Sequence, residues 1–175
     1  MKKTKGTDAI FANLQTLRDE ACGDPVTLEI PMDNQAKVQT GDDALGGKTR
    51  TNAAGEVAEK GWDHDPPAKE KVVPSGILVL LTGVLTLIFG NKETSDAWVD
   101  ALRMWWRQAR LGPGHVKLLV IVSDNGPKNS GRRTQFLKHM VQFADETELA
   151  IRLAYFPPCH SKYNRVVRRW SALRK

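Results

Sequence analysis

Two aspartates follow apolar stretches of the sequence, and their type and position suit chemistry on a ligand. Asp124 lies just after residues 118–122, an unbroken and largely β-branched run typical of a strand buried on both faces. Asp33 ends a segment, 26–32, in which apolar residues alternate with others. Carboxylates at strand ends lie where open α/β sheets bind ligands. Alternatively, Asp124 has an ordinary role and caps a turn or the following helix.

Periodicity predicts the elements that lead to and from the Asp33 strand. Residues 7–21 form an amphipathic helix, and Pro31 indicates an edge position or an irregularity in the strand that follows. The apolar stretch 76–90 is predicted to be a buried hairpin that turns near Thr82 and Gly83.

The second half of the chain alternates helices and strands. A helix capped by Thr94 or Ser95 precedes the Asp124 strand, and its tryptophans share one face, which favours the core over stacking on bases. A helix over 132–147, a strand over 151–155 and a last helix starting within 162–175 complete the chain. The tryptophans are Trp98, Trp105 and Trp106.

Residues 34–75 are polar and rich in Gly, Asp and Lys, and we expect them to form one basic loop. Its segment Gly46-Gly47-Lys48-Thr49-Arg50 lacks the spacing of a phosphate-binding Walker A loop. The adjacent residues Asp63-His64-Asp65 cannot all converge on one ion, so a metal site there is disfavoured.

The predicted order of elements is one helix, then three strands, followed by αβαβα. This order is that of an α/β, ribonuclease H-like domain over 1–175: a mixed five-stranded sheet flanked by helices. In that arrangement the ends of the first and fourth strands are neighbours. We therefore expect Asp33 to lie beside Asp124.

Composition describes an ordinary globular chain of 175 residues with a basic end. The chain is 41% hydrophobic and 26% charged, and no segment is long and apolar enough to span a bilayer. The formal charge is +6, but residues 151–175 alone carry +7 and no acid. Such an end favours nucleic acid, with a solvated surface as the alternative. Cys22 and Cys159 are isolated, which indicates a cytoplasmic protein without a zinc or disulfide framework.

Several motifs resemble the catalytic domain of DDE transposases from bacterial insertion sequences, in particular the ISAzo-type branch. The resemblance extends over nearly the whole chain, and its last cluster is the most specific. The motifs include Met32-Asp33, Gly46-Gly47-Lys48-Thr49-Arg50, Asp124-Asn125-Gly126-Pro127, Tyr155-Phe156-Pro157-Pro158 and His160-Ser161-Lys162-Tyr163-Asn164.

The resemblance implies metal-dependent phosphodiester chemistry: water cleaves a strand at the transposon end, and the freed 3′-hydroxyl is transferred to target DNA. Three carboxylates then hold two Mg²⁺ or Mn²⁺ ions about 3.5–4 Å apart. Asp33 and Asp124 fall on the first and second family aspartates. Lys162 and Asn164 fall near the active site, where they contact phosphate or orient the last helix. The predicted DNA-binding residues are Lys48, Arg50, Lys162, Asn164, Arg165, Arg168 and Arg169.

The chain departs from the family pattern at the third acid. Where the family has Pro-Ile-Glu-Arg, this chain has Arg165-Val166-Val167-Arg168, so Val167 replaces the catalytic Glu. Losing one carboxylate removes both a charge and a ligand from a two-metal site. Glu146 or Glu148 would need a different geometry to substitute. Asn34-Gln35 also replaces the family's Thr-Lys.

Three hypotheses follow. The chain is a transposase-type nuclease that uses a displaced third acid, a non-catalytic remnant that binds DNA through its basic end, or a barely stable and inactive copy. We expect a truncated copy, without the family's N-terminal DNA-recognition region and with part of the last helix missing, inactive because of Val167. Its expected partners are transposon ends and target DNA, with self-association or association with an intact transposase also open.

Overall fold

The computed structural model describes residues 6–40, 70–109 and 115–173. Helices and strands follow one another in the predicted order, with one short strand added. They are α1 (Thr7–Gly23), β1 (Thr27–Asn34), β2 (Val38–Thr40), β3 (Glu70–Leu78), β4 (Leu85–Gly90), α2 (Ser95–Gln108), β5 (Leu118–Ser123), α3 (Thr134–Thr147), β6 (Ala150–Tyr155), a 3₁₀ turn (Ser161–Tyr163) and α4 (Arg165–Leu173).

Strand β1 lies in the middle of a mixed sheet. It runs parallel to β5, which is parallel to β6, and antiparallel to β3, whose other side carries β4. The short β2 continues along β3 where β1 leaves it, with Val38 opposite Val72. The order β4-β3-β1-β5-β6 is thus the predicted five-stranded ribonuclease H-like sheet, with β2 as an extension of β1.

Pro31 does not mark an edge strand, because β1 has neighbours on both sides. Its first residues, through Pro31, pair with β5, and the ladder to β3 begins at Met32. Pro31 lies where the pairing passes from one neighbour to the other. The irregularity predicted from this proline is therefore a change of partner within a central strand.

Helices cover both faces of the sheet and bury its apolar side chains. On one face, α2 and α3 pack on β1 and β5 through a cluster that includes Trp98, Trp105 and Phe136. Trp98 is 3% exposed and Trp105 is 1% exposed, which agrees with the predicted core role. On the other face, α1 packs over β5 and β6, and α4 packs over β3.

The hairpin is confirmed, but both ends of the predicted polar loop belong to strands. Strands β3 and β4 are antiparallel and joined by a turn in which Gly83 has a φ of +69°. The prediction of a loop over 34–75 is wrong at both ends, where β2 and the first half of β3 pair with each other. The polar neighbours of Val38, Val72 and Val73 hid this pairing. Residues 41–69, with Lys48, Arg50 and Asp63-His64-Asp65, lie outside the described part.

The last helix begins at Arg165, three residues later than Lys162. Asn164 sets this start, because its side-chain Oδ1 accepts the backbone N–H of Val166 at 3.1 Å. Within the described ranges, no helix has the length and hydropathy needed to cross a membrane.

Candidate active site at the ends of β1 and β5

Asp33 and Asp124 occupy matching positions on two neighbouring parallel strands. Pro31 pairs with Val122, so the same register two residues further on brings Asp33 level with Asp124. Adjacent strands lie about 4.8 Å apart. The negative charge of Asp124 accordingly contributes to raising the pKa of Asp33. The structure thus brings together the two aspartates that the sequence predicted to be neighbours.

Asp33 lies in a partly desolvated position between the sheet and α4. Burial is the largest cause that raises its pKa from 3.8 to about 6, and the charge of Asp124 acts in the same direction. The indole of Trp170 opposes this shift, since its Nε1–H donates to Asp33 Oδ2 at 2.9 Å. At neutral pH the protein therefore holds an ionised carboxylate in an unfavourable environment.

Gly76 makes room for α4 against this carboxylate. It pairs with Asp33 across the β1–β3 ladder, and a Cβ built on it would lie 2.8 Å from both the Trp170 ring and the Val166 side chain. The absence of a side chain at Gly76 thus allows the helix to lie close enough for Trp170 to reach Asp33.

Asn164 attaches the start of α4 to β1. Its Nδ2 donates to the backbone oxygen of Met32 at 3.1 Å, while its Oδ1 caps the helix at Val166. The side chain is 0% exposed. The prediction that Asn164 binds DNA is therefore wrong, because both of its side-chain groups are bonded inside the protein. Of the two roles left open by the sequence, it orients the last helix.

Asp124 begins a loop that returns to it through Asn129. The Asn129 Nδ2 lies 3.2 Å from Asp124 Oδ1 and 2.7 Å from the Asp124 backbone oxygen. Helix α3 begins only at Thr134, so Asp124 does not cap it. Neither Asn129 nor Trp170 was among the predicted site residues. The Asn129 contact is local enough to suspect from the turn, whereas the Trp170 contact joins residues 137 positions apart.

Position 167, where the resemblance leads us to expect a third acid, lies on α4 and carries an apolar side chain. Val167 packs, partly buried, against the cluster formed by Leu78, Val166 and Trp170. It adds no oxygen ligand to Asp33 and Asp124. Among residues 6–40, 70–109 and 115–173, no three His, Cys, Asp or Glu side chains form a group that could hold a metal ion.

Glu146 and Glu148 lie at the wrong end of the sheet to replace the missing acid. They precede Ala150, which pairs with Leu118 at the amino end of β5. Asp124 lies six residues further along, or roughly 20 Å at about 3.3 Å per residue. Glu146 is instead bonded to Arg103 at 2.7 Å. A displaced third acid from this helix is therefore excluded by the topology.

Two other acidic side chains form ion pairs with basic side chains of the protein. Glu29, buried on β1, bonds Arg18 of α1 at 3.1 Å; burial raises its pKa, and Arg18 and Arg165 oppose the shift. Glu93 forms ion pairs with Lys37 and Lys128. Among the described residues, neither carboxylate forms a metal-binding group with Asp33 and Asp124.

The donor set therefore fits one divalent cation and falls short of two. Mg²⁺ keeps several waters and is commonly bound through one or two carboxylates, which Asp33 and Asp124 supply. The closeness of two like charges is also the arrangement that a bound cation would neutralise. A second ion would need the carboxylate that Val167 lacks.

Basic side chains surround the start of α4 next to this site. Lys162, Arg165, Arg168 and Arg169 are exposed, and the Lys162 ammonium lies 5.2 Å from the centre of the Tyr163 ring. Trp170 of the same helix contacts Asp33. Four of the seven predicted DNA-binding residues thus lie on an exposed segment near the aspartates, while Lys48 and Arg50 fall outside the described residues.

The architecture and the paired aspartates define a ribonuclease H-like domain of the transposase class. All 175 residues match the family model described as the Rhodopirellula transposase DDE domain, and the chain belongs to that family. No curated protein matches it.

Solved structures with this fold include two assemblies of distant sequence. The Mos1 mariner paired-end complex with Mn superposes with a TM-score of 0.51 at 12% identity, over 98% of this chain and 49% of that chain. The simian T-cell lymphotropic virus intasome, in complex with the PP2A regulatory subunit B56 gamma, gives a TM-score of 0.51 at 14% identity, over 82% of this chain and 37% of that chain. This chain thus spans less than half the length of either.

Proposed function

We propose that this chain is a transposase-type DNA strand-cleaving and strand-transfer domain that is inactive in its present form because Val167 replaces the third acid. One observation carries the proposal: Asp33 and Asp124 lie level on neighbouring strands, Asp33 contacts α4 through Trp170, and the α4 position that matches the family acid holds a valine. The fold and two of the three carboxylates are kept, and the third ligand is lost.

Asp33 and Asp124 would hold the divalent cation, Mg²⁺ or Mn²⁺. When bound, such ions activate the attacking oxygen and stabilise the leaving oxygen of a phosphodiester. Within the protein, β1 and β5 fix the separation of the two carboxylates, and Trp170 and Asn129 hold one oxygen of each. Val167 contributes neither charge nor ligand, so a site with one cation replaces a site with two.

DNA is the proposed partner, as transposon ends and target in the manner of the family. The exposed cations of the segment 162–169 would contact phosphates beside the aspartates. This role places the protein with DNA in the cytoplasm. Association with a second copy or with an intact transposase would let the chain act on transposition without cleaving DNA itself.

A matched pair of substitutions tests the lost ligand. Val167→Glu restores the family acid, whereas Val167→Gln has the same shape without the charge. We expect Mg²⁺- or Mn²⁺-dependent nicking of supercoiled plasmid for Val167→Glu, none for Val167→Gln, and none for Val167→Glu combined with Asp124→Ala. Nicking by the unmodified chain that Asp124→Ala abolishes would refute the inactive state. No nicking by folded Val167→Glu would refute Val167 as the sufficient cause.

The second candidate function is DNA binding without catalysis, which the exposed basic segment favours on its own. The two proposed functions differ in whether they require Asp33 and Asp124. Binding by the basic segment requires no Mg²⁺ and is unaffected or strengthened when Asp33→Asn and Asp124→Asn remove negative charge. Cleavage by Val167→Glu requires both aspartates.

A further inference from the structure

The side chain of Asn129 is buried and faces the Asp124 end of β5. It is 4% exposed. Its Nδ2 lies within 3.2 Å of three acceptors: the Asp124 carboxylate Oδ1, the Asp124 backbone oxygen and the Ser123 hydroxyl. A side-chain amide has two N–H donors, so both are directed at Asp124 and the residue before it.

The orientation of this amide is fixed by a donor on its other side. The backbone N–H of Gly126 lies 3.0 Å from Asn129 Oδ1. Because a backbone N–H can only donate, the atom facing Gly126 is the oxygen, and the nitrogen must face Asp124. The direction of the contact to the carboxylate therefore follows from the network.

The backbone around Asn129 is anchored by two other residues. Ser95, at the start of α2, donates its hydroxyl to the Lys128 oxygen at 2.6 Å, and Tyr155 of β6 donates its hydroxyl to the Asn129 oxygen at 2.8 Å. These bonds hold the loop to the neighbouring helix and strand. The side-chain amide is therefore available for a separate task, which is to hold Asp124.

We propose that Asn129 is a positioning residue for Asp124, fixing the carboxylate rotamer that faces Asp33. It binds Oδ1 and the backbone oxygen of the same residue, so rotation of the Asp124 side chain would break the bond to Oδ1, while the bond to the backbone oxygen keeps the amide in place. The value of this rotamer for holding a cation rests on the proposed function. The positioning itself is a property of the protein without metal.

The test compares Asn129→Ala with Tyr155→Phe in the full chain. The first removes the amide, and the second removes a backbone anchor of the same loop. The Asp124 χ1 rotamer is measured by NMR couplings in metal-free protein. We expect one rotamer in the unmodified chain and in Tyr155→Phe, and averaging in Asn129→Ala. A single rotamer in Asn129→Ala overturns the proposal, as does averaging in both variants.

A second variant keeps the test decisive if Asn129→Ala does not fold. Asn129→Asp retains the acceptor for the Gly126 N–H and loses the donors to Asp124. It should also release the Asp124 rotamer while Gly126 stays protected from hydrogen exchange. If folded Asn129→Asp keeps the Asp124 rotamer of the unmodified chain, the proposal is overturned.

Mn²⁺ binding, followed by electron paramagnetic resonance, separates this proposal from the proposed function. In the Val167→Glu background, Asn129→Ala should weaken Mn²⁺ binding by about 10-fold, since residues that orient metal ligands typically matter to this extent. Tyr155→Phe should leave it nearly unchanged, and equal weakening by both overturns the role. If Mn²⁺ binds to none of them, the metal site fails, and the rotamer measurement still decides the role of Asn129.

Discussion

Gly76 and Trp170 are in contact where α4 crosses the sheet. The indole ring lies against the backbone at position 76, in space that a Cβ would need. A Cβ there would lie 2.8 Å from the ring. The contact brings the indole N–H to within 2.9 Å of the Asp33 carboxylate. The packing of α4 on β3 and the hydrogen bond to Asp33 thus depend on the same two residues, Gly76 and Trp170.

Gly76→Ala should separate α4 from the sheet and destabilise the protein. The methyl group would overlap both Trp170 and Val166, and forcing extra atoms into a packed core costs about 1–3 kcal/mol. Urea unfolding measures the loss, and Trp170 fluorescence should shift towards that of a solvated indole.

Gly90→Ala is the matched control, because a Cβ at Gly90 meets nothing within 4 Å. It should leave both the stability and the fluorescence close to those of the unmodified chain. Equal effects of the two substitutions would contradict the close approach of α4 to Gly76.

Asp33→Asn should stabilise the metal-free protein at neutral pH. The folded-state pKa of Asp33 is raised from 3.8 to about 6, so the folded protein binds this proton more tightly than the unfolded chain. Stability from this group is present below about pH 4 and is lost as pH rises through about 6. Above that window, the shift corresponds to a cost of about 3 kcal/mol at most. Asparagine keeps an acceptor for Trp170 without the charge.

Urea unfolding in EDTA from pH 4 to pH 8 checks this prediction. The stability difference between Asp33→Asn and the unmodified chain should grow across pH 4–6 and stay constant above it. Glu29, whose pKa burial raises, and Asp24, whose pKa the Thr27 hydroxyl lowers, titrate in both proteins and leave the difference unchanged. A difference that is flat with pH, or that favours the unmodified chain at pH 7, would contradict the burial of an ionised Asp33.

The order of elements was sufficient to predict the sheet and the pairing of the aspartates. Apolar runs identify β1 and β5, and the ribonuclease H-like topology makes them neighbours, so Asp33 and Asp124 must meet. The start of β3 was missed because its pairing with β2 joins two short segments across the long polar stretch between them. The polarity of the neighbouring residues does not indicate which distant segment a strand pairs with.

The contacts that complete the site depend on tertiary packing. Trp170 reaches Asp33 because α4 lies on Gly76, and neither the spacing nor the composition of residues 165–173 reveals that approach. The opposite holds for Asn164, whose position just before a helix already indicates a cap. Its second bond, to Met32, could be seen only once the helix was placed on the sheet.

Asn164→Ala should weaken the attachment of α4 to β1. It should lower the stability of the protein more than Lys162→Ala, which changes an exposed residue nearby. The substitution removes the cap at Val166 and leaves the Met32 oxygen buried without this donor. Loss of a cap costs about 1 kcal/mol, and an unsatisfied buried group about 1–3 kcal/mol more.

Hydrogen exchange locates the effect of Asn164→Ala. The amides of α4 should exchange faster, whereas those of α2 on the opposite face should keep their protection. Asn164→Ser retains a neutral capping oxygen and loses the donor to Met32, so it should fall between the alanine variant and the unmodified chain. If Asn164→Ala is as stable as Lys162→Ala, the hydrogen bonds of Asn164 to Met32 and Val166 do not hold α4 in place.

DNA affinity should depend on salt through the basic segment that precedes and begins α4. Each phosphate contact removed lowers the slope of log K against log salt by about 0.9 on duplex DNA. Lys162→Ala and Arg169→Ala, both at exposed positions, should each weaken binding to unrelated sequences alike and reduce the slope by about this amount. Arg103→Ala is the control with the same kind of charge, because Arg103 lies on α2 and is bonded to Asp100 and Glu146. Fluorescence anisotropy over a range of salt concentrations measures the slopes. If Arg103→Ala lowers the slope as much as Arg169→Ala does, DNA binding is spread over the whole charged surface and the segment beside Asp33 is not its site.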